Sequence, residues 1–108
     1  MDVQLKRGVL EICVLAVLRR GDSYGYRIIK DMERAVEISE STLYPILKRL
    51  EAGGEVRVYS MEHNGRLRKY YQITDRGKTK IADFVEQWQD MMKIYAFITE
   101  GGDADAES

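Results

Sequence analysis

The dipeptide Asn64-Gly65 constrains this chain more than any other feature, because it stands between two runs of β-prone residues. Both residue types tolerate the positive φ that a two-residue hairpin turn demands. Residues 56–62 and 67–73 therefore read as antiparallel strands. Centring the turn on Asn64-Gly65 sets Val56 opposite Ile73 and Val58 opposite Tyr71, all four on one face. The other face pairs Arg57 with Gln72, Tyr59 with Tyr70 and Met61 with Arg68. A slip of one residue would mix the two sets, so the apolar face specifies the register. A two-stranded sheet with one apolar face needs helices to cover it.

The remaining segments supply them. Leu5, Val9, Ile12, Leu15, Ala16 and Leu18 suit one face of a helix over residues 4–19, stopped at Arg20-Gly21 by a glycine in the left-handed cap conformation. Ser23 is the expected N-cap of a second helix over 24–36, with Tyr24, Ile28, Met32 and Val36 recurring at a spacing of four. Ser39 or Ser41 caps a third helix, which runs to about Ala52 and buries Leu43, Ile46, Leu47 and Leu50. Pro45 is tolerated because it falls near the start of that helix. Gly53-Gly54 ends it. Thr74-Asp75 reads as the cap and acidic first turn of a long last helix over 75–98. There Ile81, Phe84, Trp88, Met91, Tyr95 and Ile98 follow a 3-4-3-4-3 spacing, a seam of the kind that packs helix against helix, with Val85 and Met92 along its edge.

Three helices, a hairpin and a long helix make a mainly α fold with one small β-hairpin: a winged helix-turn-helix over residues 1–74, then a dimerisation helix over 75–98. Residues 99–108 are acidic and rich in Gly and Ala, and are expected to be a disordered tail.

The formal net charge of -1 conceals an uneven distribution. Residues 41–80 hold nine basic side chains against four acidic ones, a net +5, while residues 100–108 hold four acids and no base. The longest apolar run, residues 12–18, is far too short for a bilayer, which needs about 20 residues. The N-terminus has no basic segment followed by a long apolar core, so no secretory signal is expected. A cytoplasmic chain without membrane contact is the expectation. Cys13, the single cysteine, lies inside the apolar run and reads as a buried thiol. His63, the single histidine, falls in the turn. One cysteine and one histidine on different elements form neither a zinc cluster nor a nucleophile–base pair. No catalytic residue, metal or cofactor is expected.

Three ordered segments give the chain its likeness. Ser23-Tyr24-Gly25-Tyr26 begins the second helix, Ser41-Thr42-Leu43-Tyr44-Pro45-Ile46-Leu47-Lys48-Arg49-Leu50-Glu51 makes the third, and Arg68-Lys69-Tyr70-Tyr71-Gln72-Ile73-Thr74-Asp75-Arg76-Gly77 runs from the second strand into the last helix. Together they resemble the PadR family of bacterial transcriptional regulators, in its short form with one C-terminal helix, over roughly residues 5–95. Gly54-Glu55-Val56 departs from the Gly-Leu-Ile-like step that relatives usually have there. The resemblance implies a DNA-binding regulator of double-stranded DNA, a repressor by steric blocking of a promoter.

In such a fold the third helix enters the major groove. Ser41, Thr42, Tyr44, Pro45, Lys48 and Arg49 then face DNA, the hydroxyls and ring toward base or phosphate and the cations toward phosphate. Arg66, Arg68 and Lys69 sit at the wing, beside the minor groove in relatives. Tyr26 is a phosphate-contact candidate, and Tyr24 is assigned to structure. A two-fold dimer doubles these contacts on a palindromic operator. Ile81, Phe84, Val85, Trp88, Met91, Met92 and Tyr95 are the expected dimer interface. In some relatives an aromatic residue on this helix lines an interface pocket for flat effectors, so Trp88 and Met92 are candidates for a small planar apolar or phenolic ligand; plain interface packing explains the same residues. The alternative to DNA binding is a winged helix that docks protein, which has no need of Lys48, Arg66, Arg68 and Lys69 together.

Overall fold

The structure is a computed structural model that describes residues 2–107, with side chains through Glu100. Its elements are α1 (Val3–Arg19), α2 (Gly25–Met32), α3 (Glu40–Ala52), β1 (Val56–His63), β2 (Arg66–Ile73) and α4 (Asp75–Glu107). Among the described residues no helix is long and apolar enough to cross a membrane.

The Asp2 carboxylate accepts from the amides of Gln4 (3.1 Å) and Leu5 (3.3 Å), so α1 starts at a capped end. At the other end Arg20 N–H reaches the Val17 carbonyl and Gly21 N–H that of Leu18, both at 3.1 Å. Gly21 has φ 158°, not the left-handed cap conformation expected of it. The tightened i→i-3 bonds terminate the helix instead.

The N-cap of α2 is Tyr24, without a side-chain cap bond, rather than Ser23. Ser23 is claimed by the wing: its N–H donates to the Tyr71 carbonyl (3.1 Å) and its carbonyl accepts from Tyr71 N–H (2.7 Å). This one-residue bridge ties the α1–α2 loop to β2. It also buries the Ser23 hydroxyl, which has no hydrogen-bond partner among the described residues. Four residues short of the expected end, α2 stops at Met32, whose carbonyl accepts from both Ala35 and Val36.

Ser39 caps α3 by accepting from Thr42 N–H at 3.3 Å. The helix closes in a Schellman arrangement, with Glu55 N–H on the Leu50 carbonyl (2.9 Å), Gly54 N–H on that of Glu51 (3.0 Å) and Gly54 at φ 77°. Pro45 lies in the second turn of α3, where it costs the helix one bond.

The hairpin has the expected register, Val56 with Ile73 through His63 with Arg66. Asn64 (φ 51°) and Gly65 (φ 79°) both take positive φ, as a type I′ turn requires. Val56 and Tyr71 are buried on the core face. Thr74 then caps α4: its hydroxyl accepts from Gly77 N–H (3.2 Å) and donates to the Gly54 carbonyl (2.6 Å). Gly77 is pressed so closely on the Glu55 carbonyl and the Ile73 side chain that a Cβ there would overlap both.

The core lies between α1, α2, α3 and the hairpin. Val14, Leu15, Leu18, Ile28, Met32, Leu43, Leu47 and Leu50 are fully enclosed in it. Only the first turns of α4 join it, through Ile81. Beyond them α4 leaves the domain, and its 33 residues span about 50 Å at 1.5 Å per residue. The helix continues to Glu107, past the end expected near residue 98, so the backbone of the segment read as a disordered acidic tail is helical through Glu107.

Candidate nucleic-acid interface

The face of α3 turned away from the core carries Ser41, Thr42, Tyr44, Pro45, Lys48 and Arg49, all exposed. This follows from the helical period: with Leu43, Ile46, Leu47 and Leu50 inward, those positions must point outward. A groove flanks the helix on each side. On the wing side a cleft of about 450 Å³ is lined by Tyr24, Tyr26, Tyr44, Arg68, Lys69 and Tyr71, among others. On the α1 side, Lys6 and Arg7 share a groove of about 390 Å³ with Ser41, Thr42 and Pro45. Lys6 and Arg7 were not among the residues expected from sequence; no period or motif singles them out, and only the packing of α1 on α3 brings them here.

Tyr44 is 45% exposed, and its hydroxyl lies against Gly25 so closely that a Cβ on Gly25 would overlap it. The glycine therefore provides the space in which the Tyr44 ring lies across the head of α2. Tyr26, at 59% exposure, stands beside Lys30, whose ammonium is 5.7 Å from the ring centroid. The Tyr71 hydroxyl is pushed above its ordinary range by burial, and further by Tyr44 and Glu51. It is neutral at physiological pH and can donate a hydrogen bond.

The cations expected at DNA differ in their pairing. Lys48, Arg66, Arg68 and Lys69 make no ion pair among the described residues. Arg49 does: its Nε lies 3.2 Å from Glu11 on α1. Glu11 also meets Lys80 of α4 at 3.6 Å, and Lys80 meets Glu55 at 3.2 Å. Both carboxylates are mostly covered, so this network fastens α1, α3, α4 and the turn before β1 together. Arg49, expected at phosphate, is engaged in that network. On the wing, Arg68 lies with its guanidinium carbon 4.0 Å from the centroid of the Tyr24 ring. Tyr24, assigned to structure from its helical spacing, thus lines the cleft beneath a cation.

The model of the transcriptional regulator PadR-like family matches residues 14–83, well over half of the chain. This chain belongs to the PadR-like family. That family is one of transcriptional regulators, not of enzymes, and its match takes in α2, α3 and the whole hairpin. Solved PadR-like structures have the same winged-helix arrangement. A crystal structure from Streptococcus mutans UA159 is 40% identical, with a TM-score of 0.76, covering 88% of this chain and 90% of that one. A PadR-like transcription factor from Bacteroides fragilis is 29% identical with a TM-score of 0.80, covering 88% and 94%. Bacillus subtilis PadR in complex with operator DNA is 28% identical with a TM-score of 0.67, covering 71% of this chain and 46% of that one.

The C-terminal helix of this PadR-like chain carries the second candidate surface. Ile81, expected at a subunit boundary, is buried in the chain's own core at 4% exposure, because the start of α4 packs on α1. Phe84 is half-buried and stacks on Trp88, with centroids 5.9 Å apart and planes 16° from parallel. From there outward Val85, Trp88, Met91, Met92 and Tyr95 are all exposed. Ile94 and Phe97 add apolar surface off the seam. Cys13 is half-buried, and burial raises its thiol above the ordinary range, so it stays protonated and is a poor nucleophile at neutral pH.

Proposed function

We propose that this PadR-like regulator binds double-stranded DNA sequence-specifically as a homodimer on a palindromic operator and represses by occupying the promoter. The observation that carries this reading is the cation pattern around α3. Arg68 and Lys69 line the cleft beside Tyr44, Lys48 is exposed on α3 with Ser41 and Thr42, and neither these three nor Arg66 of the wing has a carboxylate partner among the described residues. Unpaired cations beside an exposed helix N-terminus suit a polyanion whose base edges are within reach. Ser39, Ser41 and Thr42 hydroxyls are already linked to one another at 2.8 and 3.3 Å, which presents them as a group at the helix start. The Bacillus subtilis relative, solved in complex with operator DNA, supports DNA as the partner.

Dimer formation is supported by the exposed seam of α4, which no part of the same chain covers among the described residues. Two such helices packed seam to seam would bury Trp88, Met91 and Tyr95. The exposed Trp88 ring, with Met91 and Met92 beside it, supports the further reading that this helix takes a planar apolar or phenolic effector. Release from DNA then requires that the effector prefer one dimer geometry over another.

Selection from a random duplex pool tests the reading. Recovery of an inverted repeat whose half-sites are about one helical turn apart supports it; recovery of no enriched sequence by a folded dimer at low salt refutes it. Titrating the single tryptophan with planar phenolic compounds tests the effector, and fluorescence unchanged across the panel assigns Trp88 to packing alone.

A further inference from the structure

The face of the wing turned away from the core carries a set of contacts of its own. Val56, Val58, Tyr71 and Ile73 already attach the sheet to the helices. On the opposite face the Tyr59 hydroxyl donates to Oδ2 of Asp22 at 2.6 Å, and the Gln72 amide donates to the same oxygen at 3.3 Å. Asp22 belongs to the loop between α1 and α2. The Tyr59 ring stacks on Tyr70, with centroids 5.7 Å apart and planes 13° from parallel. Tyr70 meets Tyr24 edge to face at 5.6 Å. Tyr24 in turn carries the Arg68 guanidinium over its ring. A continuous series of contacts therefore runs from a carboxylate in the loop to the wing cation that lines the cleft beside α3.

We propose that Asp22 is a positioning residue for DNA binding, acting through Tyr59, Tyr70 and Tyr24 to hold the Arg68 guanidinium in the orientation that takes a backbone phosphate. This inference rests on the DNA-binding reading above. A free arginine side chain loses considerable rotamer entropy when it engages a phosphate. Lying on an aromatic face fixes the plane of the guanidinium while leaving its N–H edge available for a bidentate contact. The Tyr24 ring can serve as that platform only if it is itself fixed. Its neighbour Tyr70 is fixed by Tyr59, and Tyr59 by the hydrogen bond to Asp22. A carboxylate near a DNA-binding wing would ordinarily oppose a polyanion. Here two donors on one oxygen keep it turned into the protein.

The test is a double-mutant cycle on the full chain, read as affinity for the selected operator duplex. Asp22→Asn and, separately, Tyr59→Phe are combined with Arg68→Ala. Each of the two is expected to weaken binding by about three- to tenfold, the scale of an ordered cation–π interaction. Each is also expected to flatten the salt dependence by about as much as Arg68→Ala does, close to 0.9 in slope for every phosphate left without its cation in each protomer. In the Arg68→Ala background both should have no further effect. Tyr59→Phe keeps the ring stack and removes only a hydroxyl, so it remains informative if Asp22→Asn proves too unstable; circular dichroism confirms folding of each protein. Equal weakening with and without Arg68, or unchanged affinity and salt slope in both variants, overturns the proposal. Failure of the unmodified protein to bind any duplex would instead defeat the functional reading on which the inference depends.

Discussion

The two halves of the molecule treat their apolar residues in opposite ways. In the winged domain, Leu15, Leu43, Leu47 and Leu50 are sealed among neighbours of the same chain, each at 1% exposure or less. In α4 the transition is abrupt: Ile81 is 4% exposed, whereas Trp88 is 46% and Tyr95 is 59% exposed. Both sets have helical spacing, and both would be classed as buried from their pattern alone. The difference is that three helices and a hairpin surround the first set, while the second rides on a helix that has left the domain. The winged domain thus carries its own core, while α4 leaves its apolar seam exposed beyond Phe84.

Replacing a core leucine tests the first half of that contrast and should have the largest effect. Leu47→Ala is expected to cost about 2–5 kcal/mol in chemical denaturation, because it removes buried packing and leaves a cavity. Its cost should not depend on protein concentration. Trp88→Glu should behave differently, weakening self-association by about 30-fold or more, the size of an interface hot spot. Sedimentation then shows monomer where the unmodified chain is dimeric, and the melting temperature ceases to depend on protein concentration. A Trp88→Glu protein that remains dimeric would remove α4 from the interface.

The glycines sharpen the same contrast within the winged domain. Gly77→Ala drives a methyl into the Glu55 backbone carbonyl, which cannot give way, and should destabilise the fold by about 1–3 kcal/mol. Gly25→Ala meets only the far end of the Tyr44 side chain. Its melting temperature should stay near that of the parent while operator affinity falls about three- to tenfold, on the scale of one disturbed interaction. Equal destabilisation by both would show that Tyr44 belongs to the core rather than to the DNA-binding face.

The smallest effect expected is on alkaline stability. The Tyr71 hydroxyl is raised by burial above the ordinary tyrosine value of 10.0. The folded state therefore prefers its neutral form, and that contribution is complete below pH 10 and lost as pH rises through the folded value. Tyr71→Phe should flatten the stability profile above pH 10 and leave the neutral region nearly unchanged. An unaltered alkaline limb would assign the loss of stability to other groups.

Local chemistry explains why so much of the fold is readable from the chain alone. The hairpin register follows from Asn64-Gly65 and a period of two, the α4 cap from Thr74, and the α3 start from a pair of serines, Ser39 and Ser41, of which Ser39 is the cap; each rests on neighbours within a few residues. Features set by distant partners are not readable in this way. Ser23 has the local chemistry of a helix cap, but its backbone is held by Tyr71, 48 positions away. Arg49 stands on the exposed face of α3 and pairs there with Glu11, 38 positions away, and Ile81 has the spacing of an interface residue but is buried in the chain's own core. Asp22 carries no signal at all until β1 folds over it. Gly101-Gly102 lie within α4 although glycine is a poor helix former.

Salt-dependent binding to the selected operator tests the central claim most directly. Lys48, Arg66, Arg68 and Lys69 in each of two protomers are expected to contribute about -4 to -7 to the slope of log affinity against log salt concentration, at about 0.9 per phosphate neutralised. Replacing Lys48, Arg66, Arg68 and Lys69 together by Ala should remove most of that slope. A folded dimer whose binding is indifferent to salt, or whose slope survives the fourfold replacement, would contradict the assignment of α3 and the wing as the DNA-binding face.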